Sequence, residues 1–293
     1  MMKRTAKRTL AGLLAGTMLL LTGCGGAPIE TEVLNGEVVQ DLATTPLTVE
    51  VLKVGKADAM ILTTDQHTVI IDCGEREDGL KLVDYMESIG RTTVDCLILT
   101  HYDQDHIGGA AKVVSYLDVQ QVVAADYEED SSEYKKLVKA MDEKGLAFTI
   151  PEEPLTFTLD DAAFTIYPHE SETYQDGFDN NCSLVTRVTH HSMTLLFTGD
   201  AMEERLAEIM DIGDCDFLKV PYHGREIANL PDFLDAVTPE HAVICTSKSE
   251  LADSTMEALE DRLVETYVTA LDGTITVVSD GSSITMSAAG IEE

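Results

Sequence analysis

Apolar positions recur along this chain in two rhythms. Short β-branched runs dominate from Leu47 onward: Leu47–Val54, Ala59–Thr63, Thr68–Ile71, Val94–Thr100 and Gln120–Ala124 come first. Further runs follow at Phe157, Phe164–Tyr167, Ser183–Thr189, Met193–Thr198, Phe217–Val220, Ala242–Thr246, Thr274–Ser279 and Ser283–Ser287. Runs of this length and composition predict strands. Between them, helical spacing predicts Gly79–Ile89, Gly109–Leu117, Ser131–Lys144, Ala201–Met210 and Ser254–Leu263, with Gly90 and Gly145 as C-caps. Strands interleaved with helices, and no second linker, predict one α/β domain over 47–293. In it, two mixed sheets pack face to face with helices outside.

Residues before Leu47 follow neither rhythm. Lys3, Arg4, Lys7 and Arg8 precede an apolar run from Leu10 to Leu21. That run is shorter than the roughly 20 residues a bilayer span needs, so 1–23 read as a signal peptide. Leu21-Thr22-Gly23-Cys24 resembles a bacterial lipobox, in which small residues precede a lipidated cysteine. Lipid on Cys24 would hold the chain at the outer face of the bacterial cytoplasmic membrane. Residues 24–46, rich in Gly, Pro, Thr and acids, read as a flexible tether.

Composition narrows the function. Of 293 residues, 44% are hydrophobic, enough for a sizeable core. The net charge of −33, from 53 acids and 20 bases, excludes broad electrostatic affinity for nucleic acid or an anionic membrane surface. Any phosphate-bearing substrate must be held by metal or by local donors. Cys73, Cys96, Cys182, Cys215 and Cys245 are odd in number and irregularly spaced, with no CxxC pair. They read as small buried hydrophobes and not as a disulfide framework.

The chemistry gathers at strand ends. Leu99-Thr100-His101-Tyr102-Asp103-Gln104-Asp105-His106-Ile107-Gly108-Gly109 ends an apolar strand and offers His101, Asp103, Asp105 and His106 as metal ligands before a Gly-Gly turn. Imidazole nitrogens with carboxylate oxygens suit zinc or manganese. A solvated polar loop would explain the acids but not the two flanking imidazoles. Thr198-Gly199-Asp200 and Val220-Pro221-Tyr222-His223-Gly224 follow two more apolar strands, so Asp200 and His223 join the candidate set. His67, His190, His191 and His241 read as surface or hairpin residues.

At this point the chain resembles the metallo-β-lactamase-fold hydrolases, and within them the ComEC-like branch, named for the nuclease-like domain of a competence protein. The resemblance covers Leu47 to about Ala288. Val54-Gly55-Lys56-Ala57-Asp58-Ala59 resembles that branch's opening Val-Gly-Gln-Gly-Asp-Ala, and Ile70-Ile71-Asp72-Cys73-Gly74 resembles its Ile-Asp-Thr-Gly strand end. Asn180-Asn181-Cys182-Ser183-Leu184-Val185, the Thr-Gly-Asp at Asp200 and the Leu-Lys-Val-Pro-x-His-Gly at His223 match further segments.

The resemblance implies a four-layer αββα sandwich and two divalent metal ions, zinc or manganese. It also implies a hydrolase working through metal-bound hydroxide on a phosphodiester or other phosphoester. His101, Asp105 and His106 match the family's His-x-His-x-Asp-His loop, with Asp103 in place of the middle His, a harder donor that favours manganese beside zinc. Asp200 would bridge the metals, and His223 would join Asp105 and His106 on the second. The family's third-motif His has no counterpart, because His169 falls too early. Metals would lower the pKa of a bound water from 15.7 toward about 7. Asn181, Lys219 or Tyr222 would donate to the oxygen that gains charge. Asp58 and Asp72, each ending a strand, would fix a loop or orient a ligand His. The expected substrate is nucleic acid or a cell-envelope polymer, or a smaller phosphoester. The alternative is a non-catalytic, metal-stabilised lipoprotein that binds a cell-surface partner.

Overall fold

The computed structural model describes residues 31–34, 37–40 and 44–290. The signal peptide and Cys24 lie outside the described residues. The chain divides into two units, 1–43 and 44–293. Within the first, Thr31–Leu34 pairs antiparallel with Glu37–Gln40, a short ladder in the stretch expected to be a tether.

The second unit is built on two large sheets. Across the first, the order is Phe148–Thr149, Val122–Ala124, Cys96–Leu99, Thr68–Cys73, Ala59–Thr63, Leu47–Val51, Ile275–Ser279 and Ile284–Ala288. Its first four strands run parallel and the rest pair antiparallel. Across the second, the order is Leu155–Leu159, Ala162–Tyr167, Val185–His190, Met193–Phe197, Phe217–Lys219, His241–Ile244 and Glu265–Val268. Here the antiparallel half comes first and the parallel half last.

Strand periodicity explains how these layers close. Ile71, Ile98, Val49 and Val51 on the first sheet meet Phe164, Val188, Leu195, Phe197 and Phe217 on the second in one apolar layer. Their sequence neighbours point the other way, since successive strand residues face opposite sides. Ile70, Leu97 and Leu99 pack under Leu82, Met86, Val113 and Leu137 of three helices, Asp78–Ser88, Ala110–Tyr116 and Ser132–Lys144. Leu196, Leu218 and Ile244 pack under Leu206, Phe233, Leu234 and Leu259 of three more, Glu203–Glu208, Leu230–Val237 and Asp253–Glu260. The result is the expected sandwich of helix, sheet, sheet and helix. The five cysteines among the described residues are buried singly as thiols. Among the described residues, no helix is long and apolar enough to cross a membrane.

Several boundaries differ from expectation for local reasons. The helix expected over Ala201–Met210 covers only Glu203–Glu208, because the Asn181 side chain accepts from the Met202 and Arg205 backbone amides and starts the helix later. The strand expected to begin at Ser183 begins at Val185. Ser183 Oγ accepts from the Asp200 amide, and the Leu184 amide donates to the Thr100 carbonyl across the two sheets. Leu230–Val237 was not expected. Gly145 caps its helix as expected, at φ 69°, while Ser131, expected within that helix, is its N-cap and accepts from the Tyr134 amide.

One glycine contact fixes the loop that follows Cys96–Leu99. A Cβ on Gly109 would lie 2.2 Å from the Cys73 carbonyl oxygen and 2.7 Å from the Gly79 backbone, so nothing larger fits there. Gly109→Ala is expected to destabilise by about 3 kcal/mol, at the upper end of overpacking losses, and to lower the melting temperature by roughly 6–12 °C. Gly145→Ala, in open space, should cost only about 1 kcal/mol. Thermal melts of both variants provide the check, and equal losses would refute the close-approach argument.

Candidate metal centre

The centre forms where strands of both sheets end together. Cys96–Leu99 leads into His101, Asp103 and a single helical turn, Gln104–Ile107, that carries Asp105 and His106. Thr68–Cys73 carries Asp72 at its penultimate position, Met193–Phe197 delivers Asp200, and Phe217–Lys219 delivers His223 within Pro221–Gly224. Asp72, Tyr222 and His223 adopt φ values of 57°, 50° and 54°, in the left-handed region that non-glycine residues avoid. Such strain persists only where surrounding structure over-determines it.

Both central imidazoles are aimed from behind. His106 Nδ1 donates to Asp72 Oδ2 at 2.8 Å, and Asp72 is itself held by the Thr100 amide and hydroxyl at 2.9 and 2.7 Å. His223 Nδ1 donates to the Cys245 carbonyl at 3.0 Å, with Asp58 Oδ1 3.4 Å away. A proton fixed on each Nδ1 leaves each Nε2 lone pair facing forward. The two Nε2 atoms stand 3.3 Å apart. Asp200 reaches both, with Oδ1 3.4 Å from His106 Nε2 and Oδ2 3.0 Å from His223 Nε2. Asp105 Oδ2 is 3.6 Å from His223 Nε2. Two lone pairs this close, ringed by carboxylates, need a cation or shared protons between them.

Asp58, His106, Asp200 and His223 are all buried, and their ligating atoms lie within 4.8 Å of one another. Asp58 differs from the other three. It stands on the Nδ1 side of the imidazoles and pairs with the fully buried Lys219 ammonium. It therefore orients ligands from behind, as Asp72 does, while Asp105 faces the Nε2 side. His101 stands beside this group, its ring centre 4.0 Å from that of His106. His101 Nε2 is buried with no hydrogen-bond partner, and so is Asp200 Oδ1. Asp103 Oδ2 approaches His101 Nε2 at 3.6 Å. These donors fit a divalent metal: imidazole nitrogens and carboxylates, preset by a second layer, with orphaned atoms pointing inward.

Protonation follows from the same geometry. Burial opposes charge on both imidazoles, yet Asp200 and Asp72 hold His106 well above its ordinary value, and Asp200 and Asp58 lift His223 to about 9. Burial likewise opposes charge on Asp200, but His223 and His106 hold it well below the usual carboxylate range. Asp58 is kept low chiefly by Lys219, again against burial.

Two of the three expected substrate-facing donors, Asn181 and Lys219, are held by protein partners. The Asn181 amide donates to the Asp176 carbonyl and caps Glu203–Glu208, so it builds the wall of the centre. Lys219 Nζ, with no exposed surface, donates to the Gly199 carbonyl at 2.9 Å and pairs with Asp58, which removes it from the substrate's reach. Tyr222 is half-buried, with the Arg225 guanidinium 5.0 Å from its ring centre. His169 is held by the Ser171 and Asp126 carbonyls, outside the centre. His67 and His241 pair with Asp95 and Glu265, and His190 bridges Ser279 and the Thr45 carbonyl.

Comparison with known proteins agrees with this architecture. The chain is 26% identical over 222 residues to ComE operon protein 3 of Bacillus subtilis (strain 168), covering 69% of this chain and 28% of that protein. It is 26% identical over 210 residues to Recombination protein 2 of Haemophilus influenzae, covering 68% and 24%. The chain thus spans about a quarter of the length of these curated relatives, and the matches support the ComEC-like branch. The metallo-β-lactamase fold protein YhfI of Bacillus subtilis superposes with a TM-score of 0.58 at 12% identity, over 80% of this chain and all (100%) of that one. A CmlA β-hydroxylase variant superposes at 0.52 and 12% identity, over 78% and 53%, so the fold alone does not fix the reaction. The model of the metallo-β-lactamase superfamily matches residues 52–248, and the chain belongs to that superfamily.

Proposed function

We propose that this protein is a surface-anchored, metal-dependent hydrolase of phosphoesters, with a phosphodiester as its substrate and two zinc or manganese ions as its cofactors. The observation that carries the reading is the convergence of His106 Nε2, His223 Nε2, Asp200 and Asp105 on one point, each imidazole fixed from behind. His106, His223, Asp200 and Asp105 would hold one ion. His101, Asp103 and Asp200 would hold the other.

When bound, the ions supply Lewis-acid polarisation and a water of lowered pKa. This chain's own residues do the rest. Asp72 and the Cys245 carbonyl keep the imidazoles in the ligating tautomer. Lys219 neutralises Asp58, so the wall behind the imidazoles does not add a further unpaired negative charge. Asp58, Asp72, Asp103, Asp105 and Asp200 still outnumber Lys56 and Lys219, a balance that suits divalent cations. A phosphoester fits because its anionic oxygens gain most from such cations in a chain of net charge −33. The name of one relative, a recombination protein, supports nucleic acid among phosphodiesters. The lipobox at Cys24 supports anchoring at the outer face of the cytoplasmic membrane, where nucleic acid or an envelope polymer would be met. The second position, two protein ligands plus the shared Asp200, favours the non-catalytic alternative if it stays empty.

Metal content and hydrolysis of a bis-aryl phosphodiester by the purified protein test the reading. Two ions per chain with turnover are expected, and Asp200→Ala or His106→Ala should lower kcat/KM by at least about a thousandfold, the scale of lost electrostatic stabilisation. One ion or none, without turnover under zinc or manganese, would favour the alternative. The raised imidazoles set a pH dependence for the metal-free protein. Their folded values exceed the unfolded value of about 6.5, so their stabilisation is complete below that pH and fades as pH rises through about 9. The melting temperature in chelator should therefore fall between those limits. Added zinc, which replaces the protons, should flatten the fall. A flat profile in chelator would contradict the proton sharing inferred above.

A further inference from the structure

Lys56 sits in the turn between Leu47–Val51 and Ala59–Thr63, where the branch's opening motif has Gln. Its Nζ lies 2.9 Å from Asp105 Oδ2. That oxygen is the one that faces His223 Nε2 at 3.6 Å. The turn is tied to its partner, since the Asp58 amide donates to the Asp105 carbonyl at 3.1 Å. One carboxylate oxygen therefore serves an ammonium group and is also the oxygen that an ion held by His106, His223 and Asp200 requires.

The surroundings give Lys56 a distinct position among the cations of the centre. Lys219 is fully buried and closed off by Asp58. Arg225 is paired with Glu250 and lies over Tyr222. The Lys56 side chain keeps 38% of its surface exposed, and Asp105 at 13% is more open than Asp58, Asp72 or Asp200. Lys56 thus stands at the mouth, on a flexible four-carbon stem that can turn to solvent.

We propose that metal binding displaces Lys56 from Asp105, and that the freed ammonium anchors a non-bridging oxygen of an anionic substrate, making the site selective for phosphate esters over neutral esters. The anchoring half rests on the hydrolase reading; the displacement half needs only the metal. A half-exposed ion pair is weak, so the ion displaces it at small cost. The charge released then offsets, at the reacting centre, the repulsion that the acidic chain imposes on a phosphate.

Lys56→Gln and Lys56→Arg in the full-length protein test this. Zinc affinity, measured by competition with a chromophoric chelator, should rise about fivefold in Lys56→Gln and stay near wild type in Lys56→Arg. For a bis-aryl phosphodiester, kcat/KM of Lys56→Gln should fall about tenfold, through KM and not kcat, and its preference over a neutral aryl ester should fall by the same factor. Unchanged zinc affinity in Lys56→Gln would overturn the displacement. A loss shared equally by both esters would overturn the anchoring. If the wild type hydrolyses neither ester, the hydrolase reading fails and the anchoring half with it, while the zinc comparison still decides the displacement.

Discussion

The structure depends on a buried ion pair that joins the two sheets behind the centre. Lys219 ends a strand of the seven-stranded sheet, and Asp58 closes the turn that leads into a strand of the eight-stranded sheet. Both side chains are fully buried. Taking two charges out of water costs several kcal/mol each, so a pair like this is poor evidence of stability by itself. Its value lies in specificity. With the two sheets slipped relative to each other, each charge would be left unpaired in an apolar layer, and that outcome is far costlier than the native arrangement.

From that pair outward, each functional side chain is held by something that is not functional itself. Asp72 holds His106 and is held by Thr100. Asn181 starts the helix that follows Asp200, and Ser183 takes the Asp200 amide. Gly199, at φ 54°, lies so close to Thr100 and Ser183 that a Cβ would stand 2.9 and 3.0 Å from their side chains. The strained backbone at Asp72, Tyr222 and His223 belongs to the same frame. Ligand positions are thereby set before any ion arrives, which lowers the ordering cost of binding.

Charge gives the centre its bias. A chain of net charge −33 concentrates cations and repels phosphates at long range. At the mouth an exposed ammonium, Lys56, meets the carboxylate side of the centre. For the phosphodiester substrate proposed above, that long-range repulsion would be offset at short range, by the ions and by Lys56.

The sequence by itself determined most of the elements and most of the residues that gather at the candidate centre. Periodicity carried the two sheets, because β-branched runs bounded by turn residues have few other outcomes. The strand-end signature carried His101, Asp103, Asp105, His106, Asp200 and His223, because imidazole and carboxylate crowded at the end of an apolar run is a costly arrangement without a use. The helix Leu230–Val237 was not among the expected elements, although the spacing of Leu230, Phe233, Leu234 and Val237 carries its signal. Only the tertiary structure decided the direction of each side chain. Asn181 and Lys219 look like exposed donors in a string of residues, yet both turn inward, Asn181 to cap a helix and Lys219 to meet a carboxylate 161 positions earlier in the chain. Asp58 and Lys56, two residues apart, were divided between the back and the mouth of the centre. Pairings at such separation depend on how the sheets stack, and local pattern carries no information about that.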